Sequence, residues 1–161
     1  MAIIVGPSDW WLRTTESINA LAVACPVGTT LPDGSRIICK NGFISWIVAP
    51  SCTQVNGATW NGSTTACLGR PASCISDWPT LNSLMLQCGF NPSDWFVPSI
   101  SELQMGYLCR CNWDTFSSAS YWSSTECSSA IAYDVCFTNG GTRNCDKTGS
   151  FCVRAFRRVT Y

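Results

Sequence analysis

Residues 94–103 read Asp94-Trp95-Phe96-Val97-Pro98-Ser99-Ile100-Ser101-Glu102-Leu103. The second half is a helix start. Ser99 and Glu102 have the spacing of a capping box, in which each side chain satisfies a backbone N–H of the other's residue. Ile100, Leu103 and Tyr107 then line one face. Upstream, Pro79 suits a first helical position. Leu81, Leu84, Met85 and Cys88 follow at i, i+3, i+4 and i+7, and Gly89 stops that helix. Downstream the period changes. Ile131, Tyr133, Val135 and Phe137 alternate with Ala132, Asp134 and Cys136, a half-buried strand. Phe151, Val153 and Ala155 alternate with Cys152, Arg154 and Phe156, a last strand. Nearer the start, 36–48 reads as a β-hairpin about Lys40-Asn41-Gly42, since Asn-Gly favours the primed turns. The residues thus read as two helices among several strands.

The chain has 161 residues, of which 46% are hydrophobic and only 12% charged, with ten basic residues against ten acidic. That balance speaks against a nucleic-acid partner. No run of some eighteen apolar residues exists, so no membrane insertion is expected. Histidine is absent. Ser-His-Asp and Cys-His catalysis and histidine-bearing zinc sites cannot be built. The expectation is a non-enzymatic protein with no cofactor and no metal.

Twelve cysteines are spread from Cys25 to Cys152 with no CxxC pair. Such spacing reads as a disulfide framework rather than a zinc site. One pair can be proposed from the residues. If Gly140-Gly141 is the turn, Cys136 lies opposite Cys145 in a non-hydrogen-bonded pair, where side chains come closest. If Asn139-Gly140 is the turn, Cys136 faces Arg143 instead. Residues 1–24 hold no cysteine and carry Trp10, Trp11 and Leu12. They read as an N-terminal arm or edge segment ahead of a single stapled domain, 25–161. A disulfide-rich chain with an intact Met1 and no leader points to a virion surface; a secreted, extracellular protein is the alternative.

The stretch 94–103 resembles the DWRLPTxxEL motif of the DUF1566 family, also called the Lcl C-terminal domain. Tyr121-Trp122-Ser123-Ser124-Thr125-Glu126 is similar to its YWSSTE segment, and 153–159 to its VRxVR ending. The resemblance spans about 77–159. Phe96 stands for the usual Arg, Val97 for the usual Leu, and the cysteine load is unusual. The resemblance implies a C-type lectin-like fold, a compact α+β domain with two helices packed on twisted antiparallel strands, related to formylglycine-generating enzymes and used by surface and phage-associated proteins. It makes Asp94, Trp95, Pro98, Glu102 and the 121–126 segment family-motif positions, mainly structural.

Half of the basic charge lies in the last nineteen residues, as Arg143, Lys147, Arg154, Arg157 and Arg158. Arg154, Arg157 and Arg158, with Trp10 and Trp11, are the candidate contacts to a ligand or partner. Two functions follow. One is a phage decoration, cement or tail-surface protein that contacts neighbouring subunits, of the virion or of its own kind, or a host surface. The other is a bacterial adhesin that binds a glycan.

Overall fold

The computed structural model describes residues 14–60 and 78–161, with backbone alone for 78–82. The elements are α1 (Thr15–Ala24), β1 (Arg36–Asn41), β2 (Ile44–Val48), β3 (Val55–Ala58), α2 (Trp78–Gln87), α3 (Ile100–Leu108), β4 (Ser120–Glu126), β5 (Ile131–Cys136), β6 (Thr142–Asp146), β7 (Phe151–Val153) and β8 (Phe156–Thr160). The chain is therefore α+β, with three helices among the described residues.

The strands form a three-stranded sheet, β1-β2-β8, and a five-stranded sheet, β3-β7-β4-β5-β6. Pairing is antiparallel except between β4 and β7, which run parallel through Tyr121 and Cys152. The smaller sheet lies between two cores. Ile37, Ile47 and Val159 pack with Ile18 and Ala22 of α1. Ile38, Trp46, Val48 and Phe156 pack with Leu103 and Trp113 on the other side. A strand covered on both faces needs apolar residues at every position, not every second one. That is why 44–48 reads Ile-Ser-Trp-Ile-Val without polar alternation, and why Ser45, the polar member, donates its hydroxyl to the Ala22 carbonyl at 2.9 Å.

Helix α1 occupies the second half of the segment set apart from sequence as an arm. Thr14 caps it by accepting from the Ser17 N–H, and Glu16 sits in its first turn, where negative charge suits the helix dipole. Its packing on β2 and β8 makes 15–24 part of the domain; Trp10 and Trp11 lie outside the described residues. Helix α2 ends as its sequence suggests. Gly89 has φ +86°, its N–H reaches Leu86 O at 3.1 Å, and Phe90 N reaches Met85 O at 2.8 Å. Those two bonds are the Schellman pair, which a left-handed residue makes possible.

Two turns differ from the sequence expectation. In the first hairpin Lys40 and Asn41 pair with Ser45 and Ile44, so the loop residues are Gly42 and Phe43 rather than Lys40, Asn41 and Gly42. Gly42 takes the positive φ, +57°. The β5–β6 connection is longer than either two-residue turn considered. Cys136 N–H donates to Gly141 O at 2.9 Å, and Ala132, not Cys136, faces Cys145. The last strand is also two strands. The chain leaves the larger sheet after Val153 and enters the smaller one at Phe156, with Arg154 and Ala155 at the crossing.

Among the described residues a disulfide, Cys39–Cys109, ties β1 to the end of α3 across a sequence separation of 70, with its Cα atoms 6.3 Å apart. Closing a loop of that size restricts the unfolded chain by about 4 kcal/mol.

Candidate binding site

A cavity of about 140 Å³ opens between α1, the 31–35 turn, the segment after α2 and β8. Its walls are Thr15 and Ile18, Asp33, the Gly89–Trp95 segment through Phe90, Asn91 and Asp94, and Arg157. Each wall is held by local chemistry. The 31–35 turn closes through Leu31 N to Ser35 O at 2.7 Å and Gly34 N to Leu31 O at 2.8 Å. Asp33 Oδ1 accepts from Ser35 N at 2.9 Å and from Ser35 Oγ at 2.5 Å. Asn91 caps a single 3₁₀ turn, Pro92–Asp94, by accepting from Ser93 N. Asp94 Oδ2 in turn accepts from Thr15 Oγ1 at 3.3 Å, which links this turn to α1. Trp95 and Phe90 meet edge to face, ring centres 5.4 Å apart, and close the apolar side.

The cavity therefore combines two carboxylates, one amide and one guanidinium with an aromatic wall. Arg157 is buried on β8 and donates to Asn19 Oδ1. Burial pushes the Asp33 carboxyl above its ordinary value; the Ser35 hydrogen bonds and the charge of Arg157 offset part of that rise. The volume is below the roughly 300 Å³ at which pockets begin to bury a drug-sized ligand. It suits one small polar end group. Among the described residues no group of three or more Cys, Asp or Glu is placed to hold a metal ion, and no helix is long and apolar enough to cross a membrane.

Of the three arginines singled out from sequence, Arg157 alone reaches this cavity. Arg154 does not contact solvent. Its guanidinium pairs with Asp114, donates to the Thr115 carbonyl, and donates through Nε to Ala49 O at 2.7 Å. It fills the crossing between the two sheets, which corrects its assignment as a ligand contact. Arg158 is partly exposed, lies 3.9 Å from Glu102 Oε2, and sits over the Phe96 ring. Arg143 pairs with buried Asp134 at 2.6 Å, and Lys147 with Glu126. The basic residues near the C-terminus thus each have a partner inside the fold, and no open basic face results from them.

The Cys136–Cys145 pair is likewise corrected. The two residues lie on one face of β5 and β6, but Asp134 and Arg143 stand between them. Hydrogen bonds from the Thr138 backbone and hydroxyl hold the Cys136 thiol below its ordinary value. Burial and a hydrogen bond with Asp134 raise that of Cys145. Both are free thiols.

The motif residues are placed as follows. Ser99 and Glu102 make both halves of the capping box, and Glu102 Oε2 also accepts from Trp46 Nε1 at 3.0 Å. The Pro98 carbonyl accepts from Ser124 N at 2.8 Å, and Thr125 Oγ1 from Ile100 N at 2.9 Å. Tyr121 points into one core, where its hydroxyl donates to Gln54 Oε1 at 2.6 Å. Trp122 points into the other and donates to Ala58 O at 2.8 Å. Ser123 Oγ donates to Tyr133 O at 2.7 Å. The 121–126 segment thus stitches β4 to its surroundings, while Asp94 and Trp95 belong to the cavity wall. Asp33, Thr15 and Asn91 escaped sequence reading. An Asp-Gly turn and a threonine before a helix carry no site signature until the fold brings them together.

No protein-family model matches this chain, and no curated protein sequence matches it.

Proposed function

We propose that this protein is a non-enzymatic surface-contact module that captures a hydroxyl-rich end group, a sugar, in the cavity beside Trp95. The observation that carries this reading is the convergence of Asp33, Asp94 and Arg157 on one small space with an aromatic wall. Carboxylates accept from sugar hydroxyls, a guanidinium donates to them, and an aromatic wall suits the ring's apolar face. Asp33 is tied to its own turn by two hydrogen bonds, which suits holding a ligand more than moving a proton. A C-type lectin-like use of the α+β fold, as the DUF1566 resemblance implies, agrees with this role. A glycan array, followed by calorimetry on the best ligand, tests it. Asp94→Asn and Arg157→Gln should each weaken binding at least about tenfold, the loss of one charged hydrogen bond. Array silence, or binding untouched by both variants, counts against it.

A virion protein that grips neighbouring subunits is the second reading. Phe43, 73% exposed, and Tyr161 meet edge to face at 6.4 Å, joined by Tyr161 N to Phe43 O at 2.9 Å. Such a solvent-facing aromatic pair favours a protein neighbour.

A further inference from the structure

Building on the glycan reading, we propose that the sugar taken by the cavity beside Trp95 is an amino sugar, bound through its protonated amine to Asp94 and Asp33. The charged groups lining the cavity are Asp33, Asp94 and Arg157, two carboxylates against one guanidinium. Neither carboxylate lies within ion-pair distance of Arg157 or of any other cation among the described residues. Arg157 is itself engaged: it is buried on β8 and donates to Asn19 Oδ1 of α1. The space therefore carries an excess of negative charge.

The open hydrogen-bonding groups point the same way. Asp94 Oδ2 accepts from Thr15 Oγ1 at 3.3 Å, and Asp94 Oδ1 has no partner. Asp33 Oδ1 is filled by Ser35 N and Ser35 Oγ, which leaves Oδ2 open. Asn91 Oδ1 is filled by Ser93 N and Ser93 Oγ. The acceptors still available are thus carboxylate oxygens. A hydroxyl offers such oxygens one proton, whereas an ammonium offers three and a unit positive charge. Charge-assisted hydrogen bonds of that kind are the strong ones. Asp33 also holds its charge against burial, which raises its carboxyl, and a cation beside it favours the ionised form and offsets that cost. A carboxylated sugar meets the reverse, since two carboxylates repel it. An N-acetyl group brings neither the charge nor the donors. Thr15 Oγ1 as acceptor and Asn91 Nδ2 as donor remain for ring hydroxyls, which the stem of a lysine does not carry.

Calorimetry on the full chain at neutral pH tests the assignment. The ligands are glucosamine and galactosamine, each against its parent sugar and its N-acetyl derivative. In at least one series the amino sugar should bind at least about tenfold more tightly than both neutral forms, the gain of one charged hydrogen bond. Asp94→Asn should erase that preference. Equal or tighter binding of the neutral forms by the parent chain overturns the proposal and leaves the glycan reading standing. No binding of any sugar, together with a silent glycan array, takes down both. A preference that survives in both Asp94→Asn and Asp33→Asn also overturns the proposal, because the amine then sits elsewhere. Nα-acetyl-lysine amide serves as an amine without ring hydroxyls and should bind more weakly than the amino sugar. Binding as tight as the amino sugar's overturns the sugar assignment and points to a lysine-bearing partner. The comparison of ligands on the unaltered chain decides the matter even where a variant does not fold.

Discussion

Asp33 shows how one partly buried carboxylate shapes stability. Its folded pKa is raised, chiefly by burial, above the unfolded value. A raised carboxyl contributes stability that is fully present below the unfolded pKa and is lost as pH rises through the folded pKa. Asp33→Asn keeps an oxygen that can accept from Ser35 and removes the charge. The variant should therefore be more stable than the parent at pH 7 and equal to it near pH 3, as urea melts at the two values would show. Asp114 has the opposite sign. Burial raises it, but hydrogen bonds from Ser51 and the charge of Arg154 outweigh that and hold it below its ordinary value. Its contribution is present at neutral pH and lost in acid. Protonating Asp114 in acid thus lowers stability, and protonating Asp33 acts against that loss.

Helix α3 carries the most legible element signal. The capping box read from Ser99 and Glu102 is present with both of its bonds. Ser99→Ala removes the acceptor for Glu102 N and should cost about 1 kcal/mol in chemical denaturation. Glu102 does more than its local pattern announces, because its second oxygen holds Trp46 on β2. Helix α2 was equally readable, from Pro79, its apolar face and Gly89. Helix α1 was not. Its stretch reads from sequence as part of an N-terminal arm or edge segment, whereas Thr14 is the cap and Ile18 and Ala22, four apart, are the buried face. A ten-residue helix with two buried side chains owes its existence to the sheet beneath it. The strands divide the same way. Alternation located β5, but the run 151–156 hides a change of sheet, since Arg154 looks polar and is buried as a strut.

At the scale of the whole molecule, two cores share the three-stranded sheet, and the cavity sits where α1, α2 and β8 meet beside the first of them. Among the described residues the exposed large apolar side chains are Val27, Phe43, Leu86, Leu108 and Tyr161, of which Phe43 and Tyr161 pair at one edge. If that edge meets a neighbour, the parent chain should self-associate with rising concentration, and Phe43→Ser should remain monomeric. Sedimentation velocity separates the two, and a parent that stays monomeric at every concentration removes a contact with its own kind at this edge. The same change should leave glycan binding intact, because Phe43 is no part of the cavity wall.

Composition and local pattern determined a great deal here. No histidine removes whole classes of catalysis, balanced charge speaks against a nucleic-acid partner, and caps, glycines and apolar periods locate α2, α3, β5 and the first hairpin. These are properties of single residues or of neighbours in the chain, and short-range sterics and hydrogen bonding decide them. Only the tertiary structure decided which cysteines meet, which arginines are buried, and that Asp33, Asp94 and Arg157 share a cavity. Those outcomes depend on strand register and on contacts between residues far apart in sequence. A shift of a few residues in the β5–β6 turn was enough to part Cys136 from Cys145 and place Asp134 and Arg143 between them.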